Sequence, residues 1–174
     1  AGIIDHAGVI RGELATNTDR IVKDGRTYNF LLVEDIFVTQ ADVRAIQLAK
    51  AALKAGIDLL MEHAGLSTVD EIRLAGAFGA HIDPAHAMVV GLIPEIAVDN
   101  VHAVGNSAGS GAVRLLLSAE QRSQVEEVVQ DVIRIETATE PRFQEHFVTA
   151  LGFPHSTAPK TATEGGRRRR PHRR

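Results

Sequence analysis

The sequence predicts an α/β domain, a layered sheet with helices, and three observations carry that reading. Short apolar runs suited to strands alternate with longer segments of helical period. Two of the strands run directly into glycine-rich turns that open a helix. The 174 residues are 44% apolar and 24% charged, an ordinary globular composition with enough chain for one medium domain and its core.

The elements follow in order. Residues 1–9 read as the end of a helix, with Gly2 and Gly8 as turn material, and residues 12–25 as a polar, exposed excursion. Tyr28 to Val33 and Ile36 to Val38 are apolar runs parted by Glu34 and Asp35, the pattern of a small hairpin. Thr39 suits a helix N-cap, and Asp42 three residues on nearly completes a capping box, with Asp where Glu or Gln is usual. The helix runs to about Ala64 and stops at Gly65. Its apolar stripe is read as Val43, Ile46, Leu53, Ile57 and Leu60, with Lys50 standing where an apolar residue is expected.

Glu71 to Ala75 reads as a strand entering Gly76-Ala77-Phe78-Gly79, and Asp83-Pro84 as an N-cap with proline at the first helical position of a helix ending near Gly91. Val101 to Val104 reads as a second strand, entering the glycine-rich turn from Gly105 to Gly111. A helix is expected from about Ala112 to Leu117 and another, capped by Ser118, through Val129. A strand is expected at Val132 to Ile135, and a last helix from Glu140-Pro141 to about Leu151.

Composition excludes several functions. There is no Cys, so this segment holds no disulfide, no Cys-ligated zinc, no iron–sulfur cluster and no cysteine nucleophile. No apolar run approaches the roughly 18 residues of a membrane span, and no signal-peptide pattern follows Ala1. The chain reads as a piece of a longer protein. Its net charge of −3 hides an asymmetry: residues 1–158 carry 12 Lys/Arg against 21 Asp/Glu, and residues 159–174 carry 7 against 1. The body is therefore at −9 and the tail at +6. An acidic body argues against a nucleic-acid partner, which would want a basic face. Two units are expected, a domain over 1–154 and a disordered basic tail over 155–174.

Gly76, Ala77, Phe78 and Gly79 sit between a strand and a helix, as does the Gly105–Gly111 turn with Asn106 inside it. Glycine there admits positive φ and close approach of a ligand, and a following helix N-terminus favours an anion. Neither turn is a phosphate-binding Gly-Lys-Ser/Thr loop or a strict G-x-G-x-x-G fingerprint, and tight strand–helix packing explains either alone. Lys50 has two readings too, ligand contact or a long side chain reaching water from the edge of the stripe. His81, Asp83 and His86 lie close together, but His81 and His86 are five apart with Pro84 between them, where a helix places metal ligands at i and i+3 or i+4; no metal site is expected, and no carboxylate pair stands out as acid and base.

The segment from Val38 to Ala52, which includes Gln47 and Lys50, carries a family resemblance. It does so together with Leu74 to Gly79, Gly91-Leu92-Ile93-Pro94, Val104 to Ala112 and the closing Phe147 to Pro154. In combination they resemble the C-terminal domain of the reductive activators of corrinoid proteins, ferredoxin-linked ATPases of the acetate and sugar kinase/Hsc70/actin superfamily. The resemblance covers residues 1 to about 154. It implies the C-terminal lobe of an actin-like, ribonuclease H-like ATPase domain. It also implies ATP and Mg²⁺ as cofactors, with Gln47, Lys50, Gly76, Ala77, Phe78, Gly79 and Asn106 as nucleotide-binding residues. A [2Fe-2S] cluster is implied upstream of Ala1, and the partner is a corrinoid protein of a methyltransferase system whose Co(II) is reduced to Co(I). The resemblance implies a catalytic acid in a first lobe expected to be missing from this chain, so no catalytic residue is assigned here and the isolated fragment is expected to be inactive. A cytoplasmic location and a possible homodimer complete the reading. The alternatives are a sugar or acyl kinase fragment of the same superfamily and a non-catalytic partner-binding module.

The tail offers nothing to bury, so cutting the chain after Pro159 should leave the melting temperature unmoved. A fall of several degrees would show that the tail packs on the acidic body.

Overall fold

Three antiparallel strands come first: β1 (Ile21–Asp24), β2 (Thr27–Val33) and β3 (Ile36–Val38), in the order β1-β2-β3. Phe30 of β2 stands opposite both Ile21 and Val38, so one side of this sheet is apolar across all three strands. The hairpin turns at Glu34, a non-glycine residue with φ of 48°. The computed structural model describes residues 2–153; the basic tail expected over 155–174 lies outside the described residues.

Helix α1 (Gln40–His63) follows at once. Its start is fixed by a full capping box: Thr39 Oγ1 accepts the Asp42 N–H at 3.1 Å, and Asp42 Oδ2 accepts the Thr39 N–H at 2.8 Å. Aspartate is long enough to close the box here. The Thr39 hydrogen bonds hold the Asp42 carboxyl below the usual carboxylate range.

The second half is built on two parallel strands, β4 (Ile72–Ala75) and β5 (Val101–Gly105), with Leu74 opposite Ala103 and Ala75 opposite Gly105. Between them run α2 (Gly76–Gly79), a single turn, and α3 (Pro84–Val90). Asp83 caps α3 by accepting the His86 N–H at 2.9 Å, Pro84 opens it, and Gly91 closes it in the left-handed conformation at φ 79°. After β5 come α4 (Ser107–Leu117), α5 (Ala119–Gln130), capped by Ser118, and α6 (Pro141–Thr149), capped by Glu140.

Two small cores result. Ile10, Ile21 and Val43 are buried between the three-stranded sheet and the start of α1, flanked by Tyr28, Phe30 and Phe153. Ala87, Met88, Ile93 and Val101 are buried between α3 and the parallel pair. The middle and end of α1 pack against α6, where Ala51, Ala55 and Leu59 are buried. Small residues at those steps let the two helices approach.

Several expectations are corrected. Residues 1–9 are not a helix end: Ile4 and Ile10 form an isolated antiparallel bridge around a turn at Asp5–Val9. Residues 12–25 are not simply exposed; they hold a 3-10 turn at Gly12–Thr16 and strand β1, whose Ile21 reaches the core. The glycine-rich stretch after β5 is helical from Ser107, five residues before the expected start, because Asn106 Oδ1 accepts the Gly109 N–H at 2.9 Å. No strand forms at Val132–Ile135, where Ile133 is 86% exposed; β-branched residues there have no neighbouring edge to pair with.

The stripe on α1 is also corrected. Leu53 is 48% and Leu60 58% exposed, and Ile46 is exposed as well, while the buried positions are Val43, Gln47, Lys50, Ala51, Ala55 and Leu59. The helix is rotated so that its inner face carries small and polar residues, because what lies against it is backbone as well as side chains.

Replacing Thr39 with Ala removes the box at the head of the 24-residue helix. Urea unfolding should report a loss of about 1 kcal/mol; an unchanged midpoint would mean the helix start is held by packing alone.

Candidate functional site

The parallel pair fixes the first group of site residues. Ala75 and Gly105 are register partners, so Gly76 and Asn106, the next residues on each strand, leave the sheet side by side at its carboxyl edge. In α/β sheets that edge is where ligands bind. Gly76 has φ of 87° and Gly105 φ of 64°, and a Cβ added at either would meet nothing within 4 Å. The backbone conformation demands glycine while the space beside it is open. Gly79 is different: a Cβ there would press on the Leu74 backbone at 3.0 Å, so this glycine serves packing of α2 on β4. Phe78 is exposed and Asn106 is spent on capping α4. The first N–H groups of α4, an 11-residue helix, face the same edge with the positive end of its dipole.

Gln47 and Lys50 form a second group whose partners are the two ends of the described chain. Both are 1% exposed. Gln47 Nε2 donates to Ala7 O at 3.1 Å and Leu151 O at 2.9 Å, and its Oε1 accepts from Arg44 at 3.2 Å. Lys50 Nζ donates to Gly152 O at 2.5 Å and stands 4.8 Å from the centre of the Phe153 ring. Burial pushes the Lys50 ammonium down to about 8. Nearby the chain ends also pair with each other: Phe153 N–H donates to His6 O at 3.0 Å, and Gly152 is a glycine because a Cβ would lie 2.7 Å from the His6 ring.

The family model described as the C-terminal domain of RACo, the ASKHA domain, matches residues 1–163. The chain belongs to this family. Among curated proteins it is similar to the corrinoid activation enzyme RamQ of Eubacterium limosum, 44% identical over 122 residues that cover 69% of this chain and 21% of that protein. Among solved structures it is similar to a reductive activator for corrinoid, iron-sulfur protein, at 32% identity and a TM-score of 0.76, covering 89% of this chain and 26% of that one. The chain therefore spans about a quarter or less of these relatives. The fold is that of the ASKHA lobe, in agreement with the sequence reading. No helix among the described residues is long and apolar enough to cross a membrane.

The seven sequence-derived residues thus fall into two settings. Gly76, Ala77, Phe78, Gly79 and Asn106 gather at the carboxyl edge of β4 and β5, and Gln47 and Lys50 anchor α1 to residues 7 and 151–153. Sequence reasoning missed Phe153 and Gly152 as the partners of Lys50. The closing Phe147–Pro154 motif was the available signal, but nothing in linear order says that it returns to α1.

Lys50 gives a pH test of this arrangement. The unfolded chain keeps its Lys50 proton to about pH 10.5, and the folded chain releases it above about pH 8. Between those values the unfolded state holds more protons, so stability owed to this residue rises with pH, by at most about 1.4 kcal/mol per pH unit. The neutral amine still donates to Gly152 O. Urea unfolding from pH 7.5 to 10 should show the parent gaining stability relative to Lys50→Met; parallel curves would mean that Lys50 is as well solvated folded as unfolded.

Proposed function

We propose that this chain is the nucleotide-binding lobe of an ATP-dependent activator that reduces the corrinoid of a partner methyltransferase-system protein from Co(II) to Co(I). The observation that carries the reading is the pair of positive-φ glycines, Gly76 and Gly105, side by side at the carboxyl edge of two parallel strands with open space beside both. Such an edge accepts a flat or phosphorylated ligand against bare backbone, and the N-terminus of α4 adds N–H groups for negative charge. The names of the relatives supply the class of the partner.

In this reading Gly76, Ala77 and Phe78 receive the adenosine portion, Gly79 seats their turn on β4, and Asn106 sets the backbone of the second turn. Gln47 and Lys50 fix α1 to residues 7 and 151–152; Lys50 would have to leave Gly152 O to touch the nucleotide. Bound ATP would supply the free energy of hydrolysis, and Mg²⁺ would neutralise the charge of its phosphates. Among the described residues no group of three or more His, Asp or Glu is placed to hold a metal ion. A [2Fe-2S] centre would supply the single electron for Co(II), and this chain, which has no Cys, would not hold it. Transfer of that electron needs a protein-sized docking surface on the partner. An acidic body makes such docking depend on salt.

Gly76→Val places a branched side chain at φ 87°, where it strains the turn and fills the open space. Calorimetry on full-length protein should show ATP affinity lowered at least about tenfold, or about 1.4 kcal/mol. Unchanged affinity in a variant with normal melting would sink the site. The 174-residue chain alone should hydrolyse no ATP, because hydrolysis needs phosphates and Mg²⁺ clamped from two sides.

A further inference from the structure

The geometry points to a second ligand site in this chain, a cavity that takes a small phosphoryl anion, distinct from the glycine edge of β4 and β5. The cavity has a volume of about 840 Å³ and lies between the turn at residues 5–13, the start of β2 and the first turns of α1. Three arginines, Arg11, Arg26 and Arg44, are among the residues that line it. They come from three separate segments, and the fold alone brings them to one hollow. Elsewhere among the described residues Arg73, Arg134 and Arg142 each hold a carboxylate, while Arg20, Arg114 and Arg122 stand on the surface without one. Among the described residues none of the three cavity arginines is paired with a carboxylate. In a body that carries 21 Asp/Glu against 12 Lys/Arg, a lining with three arginines against two carboxylates is a local reversal of sign.

The walls are built and not merely lined. Gln40 uses both ends of its amide on the facing turn: its Oε1 accepts the Ile10 N–H at 2.9 Å and its Nε2 donates to Gly8 O at 2.7 Å. That holds the segment of Arg11 against the N-terminus of α1, whose dipole adds positive potential to the cavity. The Tyr28 ring lies directly against Gly12, where an added Cβ would sit 2.1 Å from a ring carbon. Only glycine at 12 lets the ring form this wall. Arg44 gives one N–H to Gln47 and keeps the rest of its fork.

Two carboxylates also reach the lining, Asp5 and Glu13. Asp5 accepts the Val9 N–H at 2.8 Å and so belongs to the turn. They reduce the net positive charge and provide acceptors for hydroxyl groups. Guanidinium forks match phosphoryl oxygens in bidentate fashion, and a tyrosine ring offers a face for the body of the molecule. The chemistry is that of free phosphate or of a small hydroxylated phosphate ester.

The protein carries its own reporter. Tyr28 is the single tyrosine and there is no Trp, so intrinsic tyrosine emission reads this cavity and not the turns after β4 and β5. The full 174-residue chain would be titrated with inorganic phosphate and with ribose 5-phosphate at fixed ionic strength, following Tyr28 emission and heat. A saturable change with either is expected, the tighter of the two naming the source of the phosphoryl group. The exposed double variant Arg11→Gln/Arg26→Gln, with unchanged melting, should bind at least about tenfold more weakly. Silence with both phosphates overturns the site, as does equal binding by the double variant. An equal response to citrate would make the cavity a general carboxylate binder. A response to a polyglutamate peptide alone would assign it to an acidic protein surface. Either result overturns the phosphoryl assignment. Because none of these readouts involves ATP at Gly76, the outcome is separate from that of the nucleotide site.

Discussion

The fold depends on two polar side chains buried in the middle of a helix. Gln47 and Lys50 lie one turn apart on the inner face of α1, both almost inaccessible to water, and between them they bond to carbonyls at Ala7, Leu151 and Gly152. Unsatisfied, each would cost several kcal/mol. Satisfied, they specify which backbone must lie against α1, which leucine or alanine at the same positions could not do. The Phe153 ring beneath the ammonium repays part of the desolvation of a charge. Removing either side chain leaves carbonyls without donors, so the loss would spread beyond the helix.

Each of the two cores is small, and the helices after β5 bury no residue completely. Specific polar contacts therefore carry a larger share of the organisation than in a domain with one thick core. Glu62 shows it at the far end of α1, where its carboxylate meets Arg142 and also His146 at 3.0 Å, while His63 lies 3.5 Å from Glu140. Helix α6 is thus laid along α1 by charge on one flank and by buried Ala51, Ala55 and Leu59 on the other.

Local rules made much of this legible. Thr39 with Asp42, Asp83 with Pro84, Ser118 and Glu140 each cap the helix expected of them, because a cap is decided within four residues. The glycine turns were legible as features too, since Gly76 follows a strand. What linear reading could not give was the register that puts Ala75 beside Gly105 and hence the two turns beside each other. It misread the inner face of α1 for a related reason. Hydrophobicity assigned Leu53 and Leu60 to the core, but that face meets backbone carbonyls and a close-packed helix, and small or hydrogen-bonding residues win there. Arg11, Arg26 and Arg44 gave no signal at all, being spread over 34 positions of chain.

The hydrogen bond from Phe153 to His6, with Gly152 pressed against the His6 ring, closes the lobe into a near-ring of polypeptide. A ring has no privileged starting point. Joining its ends by a short linker and opening it at an exposed turn such as Glu34-Asp35 would change connectivity while leaving the packing intact, at a loop-closure cost of only the order of 1 kcal/mol. Within a longer polypeptide the same closure makes the lobe a cassette: the incoming and outgoing strands of chain are stapled at one point, so a rotation imposed on either is felt by the whole body at once.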